Sequence, residues 1–455
     1  MKTHILKILV FIIFIIFYSC EDFIDIDPPT TQISGQDVFK ELATAEAAMN
    51  EVYVRLREKS ILSGNSHGAT YALGVYTDEL KNYNASFSWE EELYRNNLIS
   101  TNVSIQNIWN DSYNIIYLCN RIIEGLENSS FIVETEKDKL IGEAIFVRTL
   151  TYYYLTHLFG DIPYTTTTSY EVNRQLSKTP NNEIRQQLIE DLIIADEKLK
   201  NYTDTYLQNR PNKWAVQTLI SRLFLEDENW AQAIEYASNV MNAGYELEQR
   251  EKVFLKESRS TIWHLKSVAE GVNTKEATSL MFSSLPPPKV GLAHDLVNSF
   301  EENDLRKELW VKELNDESGE YFHAYKYKEN QNTASSIEYS VIFRIEEIVY
   351  ILIESELNIG NYESAINLWN DLRVNNNLEA WITLPNNPLD SLIEDRRKEF
   401  FCEHGHRFID LKRTNKLLEV MSMTKQTWNV NNKNWPIPQS EILLNSNLLP
   451  QNDGY

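Results

Sequence analysis

Apolar residues recur at three- and four-residue spacing along most of this chain, the period of a helix with one buried face. The spacing predicts helices over 43–57, 105–126, 139–159, 183–199, 214–225, 230–243 and 341–358. Gly160, Gly244 and Gly360 follow three of these runs, where a helix commonly stops in the left-handed backbone that glycine adopts without strain. Two helix pairs resemble each other. Leu225, Asn229, Trp230, Ala233 and Ile234 are matched in spacing by Leu357, Asn361, Tyr362, Ala365 and Ile366. In each, a helix ends on Leu, a polar turn follows, and an aromatic opens a second helix that places Ala three residues on. Small Ala lets two antiparallel helices approach closely, which is the physical logic of tetratricopeptide units. Trp230 and Tyr362 are expected to plug the turn as core residues rather than to face a ligand.

Two segments break the pattern. Residues 65–102 are aromatic and polar with weak periodicity. Residues 250–332 mix short apolar runs, at 261–266 and 321–327, with a breaker at Pro286, Pro287 and Pro288. The second segment reads as loops with a few strands packed onto the helical layer. The fold class expected is therefore mainly α. Tetratricopeptide-like helix pairs form a helical layer, and a loop-rich part with a few short strands is attached to it.

The N-terminus differs from both. Lys2 and Lys7 precede or open an apolar run whose uncharged part, 8–18, is closed by Ser19 and Cys20. This run is shorter than the roughly 18–20 residues that a membrane-crossing helix needs, so it reads as a signal-peptide core. A cysteine directly after a small residue points to lipoprotein processing, with the lipid carried on Cys20. The alternative is an ordinary secretory signal with an incidental cysteine. The expected division is a lipoprotein signal at 1–19, a lipidated tether at 20–40 and a single domain at 41–455, the irregular segments being insertions in it.

Charge narrows the partners. The chain holds 43 Lys+Arg against 66 Asp+Glu, a net charge of −23. Such a surface repels phosphate backbones, so nucleic acid is not expected as a partner. Anionic polysaccharides are disfavoured too, unless a local basic pocket overrides the mean field. The 24 Tyr, 18 Phe and 10 Trp must be mostly core. A surplus of aromatic faces is nonetheless what stacking on the C–H faces of sugar rings requires.

The densest chemical cluster is 396–413. Glu403, His404 and His406 invite a metal reading. The two imidazoles stand two residues apart around a helix-breaking Gly405, whereas helical zinc ligands stand three or four apart. The alternating Arg, Glu and Asp suit a buried ion-pair lattice instead, with Glu399, Glu403, Arg407 and Asp410 as members. No metal and no cofactor is expected. Cys119 and Cys402 lie in apolar helical patterns and read as buried free thiols, with a disulfide between them as the alternative. No Gly-x-Ser-x-Gly elbow, His-Glu-x-x-His or phosphate-binding glycine loop is present, so no catalytic residue is assigned.

The C-terminal stretch is distinctive: Trp435, Pro436, Ile437 and Pro438 lead through Asn445, Asn447 and Gln451 to Gly454 and Tyr455. It resembles the ending of the SusD/RagB family of Bacteroidota outer-membrane lipoproteins. Arg397, Glu399, Glu403, Gly405, His406, Arg407, Asp410 and Arg413 resemble a second family block, although His404 intervenes where many members place Glu directly before Gly. Ala144, Arg148, Tyr152, Tyr153, Gly160, Asp161 and Pro163 match a third block, and Thr77, Asp78 and Glu79 a fourth.

The resemblance implies a lipid-anchored, surface-exposed protein of the outer membrane. It would sit as a lid on a SusC-like TonB-dependent transporter and pass it glycans or, in RagB-like cases, peptides. Glu21 and Asp22 resemble the surface-export signal of such lipoproteins, with a merely polar tether as the alternative. It also implies a helical layer carrying an irregular, substrate-facing part. The identifying motifs read as structural, so by analogy ligand contacts come from variable loops. There Trp89 and Tyr83 are the leading candidates, with Asn84 for sugar hydroxyls and Trp310 added. The alternative is that Phe87 and Trp89 anchor a long loop to the body. A general helical scaffold for protein partners and a glycoside hydrolase, which would have to show turnover, are the remaining rivals.

Overall fold

Helices run over Leu42–Glu58 (α1), Ala69–Tyr76 (α2), Trp89–Tyr94 (α3), Val103–Glu127 (α4), Glu134–Phe159 (α5), Asn181–Lys198 (α6), Lys213–Glu226 (α7) and Trp230–Met241 (α8) in the first half of the chain. Leu305–Trp310 (α9), Ile345–Asn358 (α10), Tyr362–Asn375 (α11), Pro388–Phe400 (α12), His406–Arg413 (α13) and Gln439–Leu444 (α14) are the main ones in the second. This computed structural model describes residues 37–84, 86 and 88–455. The signal and lipid assignments, Cys20, Glu21 and Asp22 included, lie outside the described residues, as does Phe87. Among the described residues, no helix is long and apolar enough to cross a membrane.

Successive helices pack side by side: α1 on α4, α4 on α5, α5 on α6, α6 on α7, α7 on α8, α8 on α10 and α10 on α11. The two matched pairs, α7–α8 and α10–α11, are far apart in the chain yet adjacent in the layer, so the segment between them loops out. Ala233 and Ala365 are fully buried, as close helix approach requires. Tyr362, however, is 58% exposed and Trp230 only half-buried. The expectation that both aromatics plug the core is corrected: the small residue, not the ring, sets the helix spacing.

Helix α5 is enclosed on all sides, every residue from Leu140 to Phe159 being buried. A helix so placed must pair its polar groups. Arg148 reaches Asp191 at 2.7 Å, and Glu143 accepts from the Tyr53 hydroxyl at 2.8 Å. The helix stops at Gly160, whose φ of +73° excludes most side chains, and whose added Cβ would lie 2.9 Å from the Asn434 amide nitrogen. Helix α4 starts where the Asn102 side chain accepts from the N–H groups of Ser104 and Ile105.

Among the described residues, three two-stranded antiparallel ladders accompany the helices: Leu80–Asn82 (β1) with Val290–Leu292 (β3), Thr261–Leu265 (β2) with Ser340–Arg344 (β6), and the hairpin Val311–Asp316 (β4) and Gly319–Ala324 (β5). The helix expected over 341–358 begins only at Ile345, because 341–344 belong to β6. Val341, Ile342 and Phe343 form an unbroken apolar run, which suits a strand buried on both faces as well as a helix. A second correction concerns 65–102. Helix α2 lies inside it, buried at all of its residues, and a helix without a polar face shows no period. Cys119 and Cys402 are both free and buried.

Candidate functional site: an aromatic platform

The cluster at 396–413 folds inward. Glu399 accepts from Arg344 at 2.6 Å, from Arg250 at 3.0 Å and from Arg306 at 3.4 Å, and Glu403 pairs with Arg344 at 2.9 Å and with Lys326. Burial raises the Glu399 carboxyl, but the three guanidinium groups outweigh it and hold the group well below the ordinary carboxylate range. Arg407 forks onto Asp78 at 3.0 and 2.9 Å, while Asp410 joins Arg396 and Arg413. All four expected members therefore sit in buried ion pairs, divided among three sets of partners. Gly405 has φ +74°, and a Cβ there would lie 2.3 Å from Leu73 of α2, so only glycine fits. His406 stacks on Phe400 with centroids 4.5 Å apart, and the His404 ring nitrogen lies 2.9 Å from the Val341 carbonyl. Among the described residues no group of three or more potential metal ligands converges.

Trp310 belongs to this interior. It is 1% exposed, its indole N–H donates to the Arg250 carbonyl at 3.0 Å, and its ring faces Lys326 at 4.9 Å. The expectation of Trp310 as a ligand contact is corrected: the ring covers buried cations and does not reach the surface.

A different set of rings gathers where the strands meet. The Tyr83 N–H donates to the Lys289 carbonyl at 2.7 Å, which extends the β1–β3 ladder by one residue. β3 lies against β5, and Gly291 of β3 is the reason the rings can lie over it. An added Cβ there would stand 3.2 Å from the Tyr83 ring, 3.5 Å from the Phe282 ring and 2.9 Å from the Phe322 carbonyl. Tyr83 meets Tyr321 edge-on at 5.3 Å, Phe282 meets His323 at 5.0 Å, and His323 meets Tyr325 at 5.8 Å. Burial holds His323 below its usual range, so the ring is neutral at pH 7 and packs like its aromatic neighbours. Tyr83, Phe282, Tyr321 and Tyr325 are half-buried, a run of partly exposed rings.

Polar groups border the run. Lys81 lies 5.0 Å from the Tyr83 ring, and Lys328 and Lys312 lie 5.4 and 6.0 Å from that of Tyr325. The Tyr83 hydroxyl is enclosed and meets no hydrogen-bond partner among the described residues. Partly exposed rings next to lysine donors can stack on and hydrogen-bond a polyhydroxylated ligand.

Of the residues named from sequence, only Tyr83 joins this platform. The Asn84 side-chain oxygen closes a local turn, accepting from the Ser86 N–H at 3.1 Å and from its hydroxyl. Trp89 opens α3. Its indole N–H donates to the Ser66 carbonyl at 3.0 Å, and its ring stacks on His67 at 5.9 Å and meets Trp435 edge-on at 6.0 Å. These contacts fit the loop-anchor alternative. Sequence reasoning missed Phe282, Tyr321 and Tyr325. The alternation of Tyr321, His323 and Tyr325 was the available signal, because a strand puts such residues on one face.

A family model described as starch-binding, associating with outer membrane (SusD-like), matches residues 22–225, and the SusD family model matches 311–455. SusD-like protein P2 of Formosa agariphila is 24% identical over 99% of both chains. SusD-like protein P25 of the same organism is 26% identical over 53% of this chain, a match spanning 46% of P25. In structure, a SusD superfamily protein from Bacteroides vulgatus superposes with a TM-score of 0.79 at 19% identity, over 92% of this chain and 100% of that one. A protein described as a laminarin-binding SusD-like protein gives 0.76 at 18% identity, over 91% and 99%. The two family models fall on the segments whose motifs build the buried lattice and the C-terminus, and this chain belongs to the SusD/RagB family.

Proposed function

We propose that this protein captures a nutrient glycan at the cell surface and delivers it to a SusC-like TonB-dependent transporter, tethered to the outer membrane by lipid on Cys20. The observation that carries the reading is the platform of Tyr83, Phe282, Tyr321 and Tyr325, half-open to solvent and bordered by lysines in an otherwise acidic chain. The family model's description as starch-binding supports a glycan ligand, and the laminarin-binding protein of the same fold agrees with it. The family is one of binding proteins, so the role assigned is capture and transfer without chemistry.

The test uses soluble protein beginning after Cys20, run on native affinity gels that contain plant, fungal, host and algal polysaccharides. Retardation by one class is expected and names the ligand. Free migration through every gel overturns the glycan reading in favour of RagB-like peptide capture or a scaffold. Delivery is tested with the full lipidated chain, which should co-purify from detergent-solubilised membranes with a TonB-dependent transporter. Elution without one overturns that half of the proposal. Cys20→Ser should release the protein from the membrane fraction.

A further inference from the structure

We infer a second saccharide site on the helical layer, in the cleft between α4, the 163–176 connection and α14, built from none of the platform residues. The inference rests on the glycan-binding reading above. Helix α4 turns Ile105, Ile108, Ile115, Ile116, Ile122 and Leu126 toward the core. Asn110, Tyr113, Asn114 and Tyr117 follow one another at three- and four-residue spacing, which places them in one stripe along another side. A solvated helix face is normally lined by charged residues. This one carries phenols and amides, and it lines a cleft of 510 Å³. That volume lies within the roughly 300–1,000 Å³ of small-ligand sites.

Each part of the lining has a use for a sugar. Trp109, 3% exposed, forms the floor, with its ring 4.9 Å from that of Tyr113. Tyr117 and Tyr170 stand at the mouth, 42% and 72% exposed, so folding does not account for their placement. An asparagine amide offers both donor and acceptor, as neighbouring sugar hydroxyls demand. Asn110 is exposed and can present both; Asn114 accepts from Arg55 at 3.0 Å and has its donor side left. Arg174 and Glu441 are the ionisable groups of the lining, one of each sign, so the net charge of −23 is not repeated here.

The walls are fixed before any ligand arrives. The Tyr113 hydroxyl donates to the Pro163 carbonyl at 2.7 Å, and Glu124 accepts from the Thr168 N–H at 2.8 Å. On the other side, the Asn445 and Asn447 amides donate to the Leu176 and Gln175 carbonyls, both at 2.8 Å. A preformed cleft loses little freedom on binding, which favours affinity for a small, hydroxyl-rich ligand. The lining also holds Ile116, Leu176, Leu444 and Leu448, which can pack on the C–H faces of a sugar ring, while the phenols and amides around them meet its hydroxyls.

The experiment compares Tyr321→Ala with the triple variant Tyr321→Ala/Tyr117→Ala/Tyr170→Ala on the same polysaccharide gels. Both cleft tyrosines are exposed, so the two proteins should melt alike. With the platform damaged, Tyr321→Ala is expected to keep retardation on at least one polysaccharide, and the triple variant to lose it several-fold or completely. Identical mobility of the two on every gel overturns the second site. If wild type is retarded in that case, the platform reading stands alone; if wild type is not retarded either, both readings fall.

Discussion

The 396–413 cluster and the platform around Tyr83 are the two places where this chain concentrates expressive side chains, and they use them in opposite ways. In the first, carboxylates and guanidinium groups are taken out of water and paired with one another, out of a ligand's reach. In the second, the rings are only half covered. The dense motif is what the fold needs to join α12 and the turn after it to Arg250, Arg306 and Lys326 of the inserted part and to Arg344 of β6. The site needs no dense motif, because its rings come from three separate segments of the chain, around Tyr83, Phe282 and residues 321–325.

The sharpest way to break the comparison is to remove Glu399. Glu399→Ala leaves three buried guanidinium groups short of a partner, and breaking a buried pair on one side costs about 3–5 kcal/mol. A large fall in melting temperature, or no soluble protein, is the expected outcome. A wild-type melting curve would show that the lattice is dispensable.

Glu79 gives the next effect, and it depends on pH. Burial pushes its carboxyl up to about 7, the neighbouring Asp78 adds to the rise, and Arg397 and Arg407 offset part of it. Between the ordinary value of 4.5 and about 7 the folded protein therefore binds more protons than the unfolded one. The stability that Glu79 contributes is lost as pH rises through that window. Glu79→Gln cannot titrate, so its unfolding free energy should fall less between pH 5 and pH 8 than that of wild type, by on the order of 2 kcal/mol. Parallel curves in urea would refute the assignment.

How much of this was legible follows the same division. The layer is readable because its helices are long, and α1, α4, α5, α6, α7 and α8 sit close to where periodicity puts them, although α5 is enclosed. Short buried elements are the ones that escape it: α2, eight residues without a polar face, shows no period, and the five-residue β6 merges with the run of α10. The lattice was half readable. Its carboxylates stand together in 396–413, while Arg250, Arg306, Lys326 and Arg344 come from segments that only the fold brings near. The platform was least readable. Tyr83 and Tyr321 pair across a long separation in the chain, and Trp310 is a buried ring that residue type alone does not distinguish from an exposed one.

Trp89 tests the border between the regions. Its ring is half-buried against His67 and Trp435, and its N–H is taken by Ser66. Trp89→Ala should therefore cost about 1–2 kcal/mol of stability, less than truncation of a fully buried ring. Its retardation on glycan gels should be unchanged once the protein is folded. Weakened retardation with an unchanged melting temperature would return Trp89 to the ligand site.

The smallest change asks the most of the comparison. Tyr83→Phe removes one oxygen and leaves the ring against Tyr321 and above Gly291. If the hydroxyl were part of the fold, its loss would break a hydrogen bond and lower stability. It has no partner among the described residues, and an enclosed polar group left unpaired is itself unfavourable, so the melting temperature should hold or rise slightly. The enclosed oxygen is out of a glycan's reach, so retardation on glycan gels should be unchanged as well. A lost ligand hydrogen bond of about 0.5–1.5 kcal/mol would instead show as roughly two- to tenfold weaker binding. Stability kept and binding lost would mark the hydroxyl as a ligand contact, whereas stability lost and binding kept would make the platform as structural as the lattice beneath it.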